Sequence, residues 1–410
     1  MSTTEPGEEL IYDWNTVGDD WRPAGTVMLD DETLRDGLQS PSVTDPPLAT
    51  KLELIHLMDE LGIDTADVGL PGAGPRAVAD VTAICKEIAR AKLNIKANCA
   101  ARTHANDIDP IVACSQAAGI PIEACLFIGS SPIRQYTEGW EIDTLLSWTE
   151  KAVSHAVREK LPVMFVTEDT TRAKPEDLRR LYTVAIECGA TRACVSDTVG
   201  HATPEGVARL LAHMRGIIEA TRREVGIDWH GHKDRGLSVA NVLAAIRAGA
   251  TRVHGAGIGI GERAGNAPME LILVNLHLLG WSGRPLGKLA AYCDLVSSAC
   301  GVPIPRNYPV VGADAFETAT GVHAAAVIKA FKKGDQALAD RVYSSVPAGE
   351  LGLEQKIRVG PMSGRSNVVF WLEKRGIEAT DTRVDAIYKA AKSSHRLLED
   401  AEMLSLIQGS

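Results

Sequence analysis

From residue 26 to about 280 the chain alternates between short apolar, β-rich runs and longer segments whose apolar residues recur every three or four positions. The short runs are 26–32 (TVMLDDE), 65–71 (TADVGLP), 94–100 (NIKANCA), 122–129 (IEACLFIG), 162–169 (PVMFVTED), 192–199 (RACVSDTV), 227–232 (IDWHGH) and 252–258 (RVHGAGI). Between them the pattern is helical; in 204–224, Val207, Leu210, Leu211, Met214 and Ile218 share one face. Pro75, Pro175 and Pro204 stand at helix starts, where the missing N–H has no helical partner to lose. Eight strand–helix units at even spacing predict an α/β fold, the (β/α)₈ TIM barrel. A doubly wound sheet is the alternative, and the even spacing favours closure. After about 281 the strand signal stops and the pattern turns helical with Pro/Gly punctuation. The expected organisation is an N-terminal arm over 1–24, a catalytic barrel over 25–282 and a mainly helical C-terminal subdomain over 283–410. The arm is acidic and aperiodic, with Trp14 and Trp21 as its docking residues.

A chain of 410 residues can bury a sizeable core without disulfides. Its 43 basic and 53 acidic residues give a net charge of −10 with no Lys/Arg-rich run, which argues against nucleic acid and anionic membrane as partners. The 8 cysteines form no C-x-x-C pair and lie largely in apolar stretches, as expected of reduced, buried thiols. The start, MSTTEPGEEL, is too polar for a secretory signal, and no apolar run is long enough to span a bilayer. A cytoplasmic location is the expectation.

In such a barrel the chemistry sits where strands end and loops begin. Arg35 and Asp36 follow the first strand, Glu168 ends the fifth, and Thr198 the sixth. His230-Gly231-His232 ends the seventh, and the loop after the eighth carries Glu262 and Asn266. Residues i and i+2 of a strand point to one face, so both imidazoles can reach one ion. Asp36 adds a carboxylate, and two imidazoles plus a carboxylate with open positions suit a catalytic divalent cation. Asn266 offers a further oxygen or a supporting hydrogen bond. Arg35, next to the carboxylate ligand, can stabilise a developing enolate or alkoxide. The loop Gly257–Asn266 is glycine-rich like a dinucleotide loop, but Glu262 and its place after the eighth unit argue against that use. It reads as a close-approach turn, with Glu262 in the acid–base network. Glu168 and Thr198 are polar residues at the barrel mouth.

Together DETLRDGLQSPS, VGLPGAGP, DTVGHATP, HGHKDRGLSVANVLAAIRAGA and GIGERAGNAP resemble the metal-dependent barrel superfamily of 2-isopropylmalate, homocitrate and citramalate synthases. That superfamily also holds hydroxymethylglutaryl-CoA lyase. The resemblance covers roughly 26–370. GADAFETATGVHAAAVIK resembles the synthases' segment bearing a catalytic histidine, here His323. VYSSVPAGELG and GPMSGRSN resemble their C-terminal subdomain, which implies a place for Tyr343 near an active site, including that of a partner chain in a homodimer. The lyases lack that subdomain and carry a loop cysteine absent here, so the synthase branch is preferred over a lyase or aldolase. The resemblance implies a divalent cation (Mg²⁺, Mn²⁺ or Zn²⁺), a 2-oxo acid substrate and acetyl-CoA as co-substrate. His323 or Glu262 would be the base and Thr198 a contact to the substrate carboxylate.

Two departures bear on specificity. Lys233 stands where the synthases usually have asparagine after H-x-H. Arg134 stands where leucine-pathway enzymes usually have histidine and homocitrate enzymes arginine. An arginine facing the pocket suits a second anionic group, as on 2-oxoglutarate, oxaloacetate or a phosphonate-like analogue; pairing with a local acid is the alternative. The chain length leaves no room for the regulatory domain of many leucine-pathway synthases, so insensitivity to leucine is expected.

Overall fold

A computed structural model describes residues 10–408. Its first nine residues, part of the expected arm, lie outside the described ones. Strands β1 (Met28–Asp31), β2 (Thr65–Asp67), β3 (Lys96–Arg102), β4 (Glu123–Gly129), β5 (Val163–Glu168), β6 (Arg192–Asp197), β7 (Gly226–Gly231) and β8 (Arg252–Gly255) form a closed barrel in sequence order. All neighbours pair in parallel, and β8 closes on β1 with Met28 opposite Arg252 and Asp31 opposite Gly255. The crossover helices are α1 (Leu48–Glu60), α2 (Pro75–Ala91), α3 (Ala105–Ala118), α4 (Pro132–Glu138), α5 (Ile142–Arg158), α6 (Pro175–Glu187), α7 (Pro204–Thr221) and α8 (Ser238–Arg247), and α9 (Met269–Leu278) and α10 (Leu289–Cys300) follow β8.

The predicted barrel is present, with differences at strand ends. β2 stops at Asp67 because Gly69, at φ +146°, turns the chain away. β3 runs on to Arg102, paired with Phe127 of β4, where the sequence pattern ended it at residue 100. The proline-led helices start where expected, at Pro75, Pro175 and Pro204. Seven of the cysteines are buried, Cys188 is half-buried, and all eight are unpaired.

Alternation along each strand divides the sheet into two faces. Leu29, Phe165, Val195, Ile227, Trp229 and Val253 are buried on the face toward the helices. The inward face is unusually polar for a barrel core, which branched aliphatics commonly fill. Asp30 and Glu32, Thr65 and Asp67, Asp228 and His230, and Arg252 and His254 occupy it, all at most 8% exposed. Such charges survive inside only when paired. Arg252 bonds Asp228 and, at 2.6 Å, Glu123, while Asp30 takes Asn98 Nδ2 at 2.6 Å.

The described chain divides into two compact units. The barrel unit spans Trp21–Pro303 and so includes α10, which the sequence pattern assigned to the second region. α10 belongs there because Tyr292 buries its hydroxyl on Asp31 of β1 at 2.5 Å. Trp21 meets Trp281 edge-on at 5.0 Å and lies under Arg247, whereas Trp14 is exposed beside Tyr12. The second unit contains residues 304–408 with α11 (Gly321–Lys332), α12 (Gln336–Arg341), α13 (Arg365–Lys374), α14 (Asp381–Ser393), α15 (Asp400–Ile407) and the short parallel pair β9 (Glu317–Thr318) and β10 (Lys356–Ile357). It has its own apolar clusters, one around Val368, Trp371, Leu372 and Ile387 and one around Ala324, Val327 and Ile328.

Candidate active site

The chain leaves β1 in a tight turn in which Gly37 N–H donates to Glu32 O at 2.9 Å. The turn aims Arg35 and Asp36 into the barrel mouth. Arg35 is gripped by three carboxylates: Glu32 (Nη2–Oε2 2.5 Å), Asp67 (Nε–Oδ2 2.8 Å) and Asp36 (Nη1–Oδ2 3.4 Å). Burial works against these charges, but Glu32 and Asp36 are held well below the usual carboxylate range by Arg35 and by nearby histidines. Asp67 is the exception: burial outweighs Arg35 and, with Glu32 and Asp30 nearby, raises it well above that range.

His230 Nε2 and His232 Nε2 lie 3.3 and 3.4 Å from Asp36 Oδ2, and one ligand atom from each of the three residues falls within 4.8 Å of the others. Asn266 arrives beside them through an isolated bridge to His232. Asp36 Oδ1, His232 Nδ1 and Asn266 Oδ1 are buried without hydrogen-bond partners. Of these, the buried oxygens Asp36 Oδ1 and Asn266 Oδ1 are acceptors that are costly to leave unpaired, and the donor set of two imidazoles, a carboxylate and an amide oxygen fits a divalent cation. A deeper trio, Glu32, His230 and His254, also groups metal-capable atoms. His254 already spends both ring nitrogens on carboxylates, and against the cost of burial Asp30, Asp228 and Glu32 raise its pKa to about 10. It donates to Glu32 and Asp228, at 2.9 Å each. Glu32 in turn faces His230 Nδ1 at 3.5 Å, the kind of contact that orients a ligating imidazole.

The glycine-rich loop exists to let backbone approach these groups. A Cβ on Gly261 (φ +148°) would stand 2.3 Å from Asn266 Nδ2 and 3.3 Å from Asp36 Oδ1. One on Gly265 would meet Gly259 O at 2.0 Å. Lys233 packs its ammonium under this loop, where a Cβ on Gly259 would come within 2.5 Å of Nζ, and burial lowers its pKa. Arg263 ties the loop to Asp234 and to Thr198 O.

One cavity of about 220 Å³ collects Arg35, Asp36, Glu168, Thr198, His230, His232 and Glu262. Glu262 is at its rim with a half-exposed side chain, 3.5 Å from Arg263. Thr198 Oγ1 accepts from Asp169 N–H at 2.8 Å, leaving its own proton to donate. Burial raises the Glu168 pKa against the pull of Arg134 and Arg35. Glu168 and Phe127 also line an adjoining cavity of about 430 Å³ that holds Arg134, Arg102, His104, Trp140 and Trp148. Arg134 does pair with a local acid, Glu138 at 3.1 Å, and lies over Trp140; a Cβ on Gly129 would collide with its Cγ. His323 and Tyr343 belong to the second unit, where both are exposed and their rings lie 4.4 Å apart.

Sequence reasoning missed Glu32, Asp67, Asp228 and His254. The signal was present in inward-facing positions two residues apart, Asp228/His230 and Arg252/His254, beside the residues that were named.

Fold and site define a (β/α)₈-barrel enzyme class with a polar, metal-fitting mouth. The chain belongs to the HMGL-like family, whose model matches residues 26–296. A homocitrate synthase of Methanopyrus kandleri is 34% identical over 90% of this chain and 87% of that protein. A 2-isopropylmalate synthase of Lactococcus lactis is 36% identical over 78% of this chain and 63% of that protein. Among solved structures, the Bacillus subtilis HMG-CoA lyase superposes with a TM-score of 0.58 at 21% identity, covering 70% of this chain and 97% of that one. That likeness is one of fold. Among the described residues no helix is long and apolar enough to cross a membrane.

Proposed function

We propose that this protein condenses acetyl-CoA with a 2-oxo acid and releases CoA, acting as a homodimer. The observation that carries the reading is the convergence of Asp36, His230 and His232, with the unpaired Asn266 Oδ1 beside them, next to Arg35. Asp36, His230 and His232, with Asn266, would hold a divalent cation, which when bound supplies Lewis-acid polarisation of the oxo acid's carbonyl. Arg35, locked by Glu32, Asp67 and Asp36, presents fixed charge to the keto oxygen as it becomes an alkoxide. Thr198 donates its free hydroxyl proton to the substrate carboxylate. A base, His323 or Glu262, takes a proton from the acetyl methyl. The new carbon–carbon bond joins that carbon to the keto carbon, whose oxygen is then protonated; Glu168, with its raised pKa, is suited to that donation. Water then cleaves the thioester to a carboxylate and free CoA.

The oxo acid carries a second anionic group directed at Arg134. The Arg134–Glu138 pair is half-exposed, and such pairs contribute only about 0–1 kcal/mol, so a substrate anion can displace it. The test is thiol release from acetyl-CoA across a panel of 2-oxo acids, with chelated and Mg²⁺-, Mn²⁺- or Zn²⁺-supplied protein. Release requiring both a cation and a dicarboxylic oxo acid is expected, and Arg134→Ala raises KM for that acid more than for 2-oxoisovalerate. Exclusive use of 2-oxoisovalerate overturns the specificity. No release with any acceptor overturns the condensing reaction and favours cleavage of a hydroxyacyl-CoA.

A further inference from the structure

At the opposite mouth of the barrel, where the strands begin, a cavity of about 650 Å³ is lined by Lys92, Lys96, Arg192 and Arg252, with Glu123 as its acid. Its walls are apolar: Ile88, Leu93, Ile95, Ile120 and Pro162. That volume lies within the range of ordinary small-molecule pockets. The one lining acid is spent, because Glu123 pairs with Arg252 at 2.6 Å. Arg192 bonds Asp228 at 2.5 Å behind the lining. Lys92 and Lys96 are exposed and, among the described residues, paired with no acid. Lys92 also caps α2, where a cation favours the helix end, but Lys96 begins β3 and has no such duty. The mouth therefore carries local positive charge in a chain whose net charge is −10.

A line of buried polar contacts leads from this cavity to the metal-fitting cluster. Arg252 holds Asp228, Asp228 accepts from His254 Nε2 at 2.9 Å, and His254 Nδ1 donates to Glu32 at 2.9 Å. Glu32 then grips Arg35 and faces His230 Nδ1. An anion engaging Arg192 or Arg252 would draw them from Asp228 and so disturb the bonds that orient His230.

The geometry points to this cavity as a second ligand site, taking a small carboxylate with an apolar tail. Its occupancy is transmitted through Arg252, Asp228, His254 and Glu32 to the Asp36–His230–His232 cluster. The transmission rests on the metal reading above; the binding does not. The test is equilibrium dialysis of the full chain with radiolabelled hexanoate, and with hexan-1-ol as the uncharged control. Saturable hexanoate binding is expected, about tenfold weaker in Lys92→Glu/Lys96→Glu, the loss expected of a charge-assisted contact. Ala89→Trp, on an exposed lining position, fills the space and abolishes binding while thermal unfolding stays unchanged. No saturable binding, equal binding of hexan-1-ol, or binding indifferent to these variants overturns the site. Free Mn²⁺ measured by electron paramagnetic resonance then reports the transmission: hexanoate is expected to change Mn²⁺ affinity by about fivefold, a typical coupling between sites. Hexanoate binding beside unchanged Mn²⁺ affinity overturns the transmission. Absence of Mn²⁺ binding without hexanoate tells against the metal reading alone.

Discussion

Asp31 illustrates how a single buried carboxyl sets a pH dependence away from the chemistry. It sits at the end of β1, fully buried, accepting from Thr33 N–H at 2.8 Å and meeting the Tyr292 hydroxyl at 2.5 Å. Burial outweighs those bonds and raises its pKa from 3.8 to about 7. The folded protein thus keeps a proton that the unfolded chain loses near 3.8, so folding takes up a proton across that window. Stability from this group therefore falls as pH rises from about 4 to 7 and is level above, a change of at most about 4 kcal/mol. Asp31→Asn keeps the acceptor for Thr33 and places an amide donor against Tyr292, and it cannot ionise. Urea unfolding from pH 5 to 8 is expected to show the variant gaining on the parent as pH rises. A constant difference between the two over that range contradicts the raised pKa.

Among elements, the loop Gly257–Asn266 depends most on the absence of side chains. Gly261 is the tightest point against the proposed metal ligands, at a φ that L side chains rarely adopt. Gly261→Ala is expected to weaken Mn²⁺ or Zn²⁺ binding by at least about tenfold, as loss of a supporting contact does, while the barrel stays folded. Titration calorimetry checks the first part and circular dichroism the second; unchanged affinity would show that the loop does not shape the site. The sequence made this loop visible as a glycine run and made the strands visible as β-rich runs, because both signals are local. Asp36, His230 and His232 were legible for the same reason: two are spaced i, i+2, and one follows a strand end. Asp67 was not, since its meeting with Arg35 is decided only when β2 pairs with β1. The i, i+2 spacing of Arg252 and His254 was visible, but the partners of His254, Glu32 and Asp228, are decided only when β8 pairs with β1 and β7. The short α4 that carries Arg134 escaped because its seven residues make less than two amphipathic repeats.

The molecule as a whole divides its proposed chemistry between two units: cation and oxo acid residues on the barrel, His323 and Tyr343 on the second unit. His323 lies exposed on α11 next to the buried Ala324, and Tyr343 is likewise exposed, so neither ring supports the second unit's apolar clusters. Their 4.4 Å ring contact is a pairing at a surface, where truncation leaves water rather than a cavity. If His323 takes the proton from the acetyl methyl, its removal acts on turnover alone. His323→Ala is expected to lower the rate of thiol release by about 10²–10⁴, the usual worth of a positioned base. Mn²⁺ affinity and thermal unfolding should stay at parental values, because the residues proposed to hold the cation lie on the barrel unit. Tyr343→Phe keeps the ring and removes the hydroxyl, so it separates stacking from hydrogen bonding: full activity in this variant assigns the tyrosine to holding His323 in place. An active His323→Ala would transfer the base role to Glu262, which Glu262→Gln then tests on the same assay.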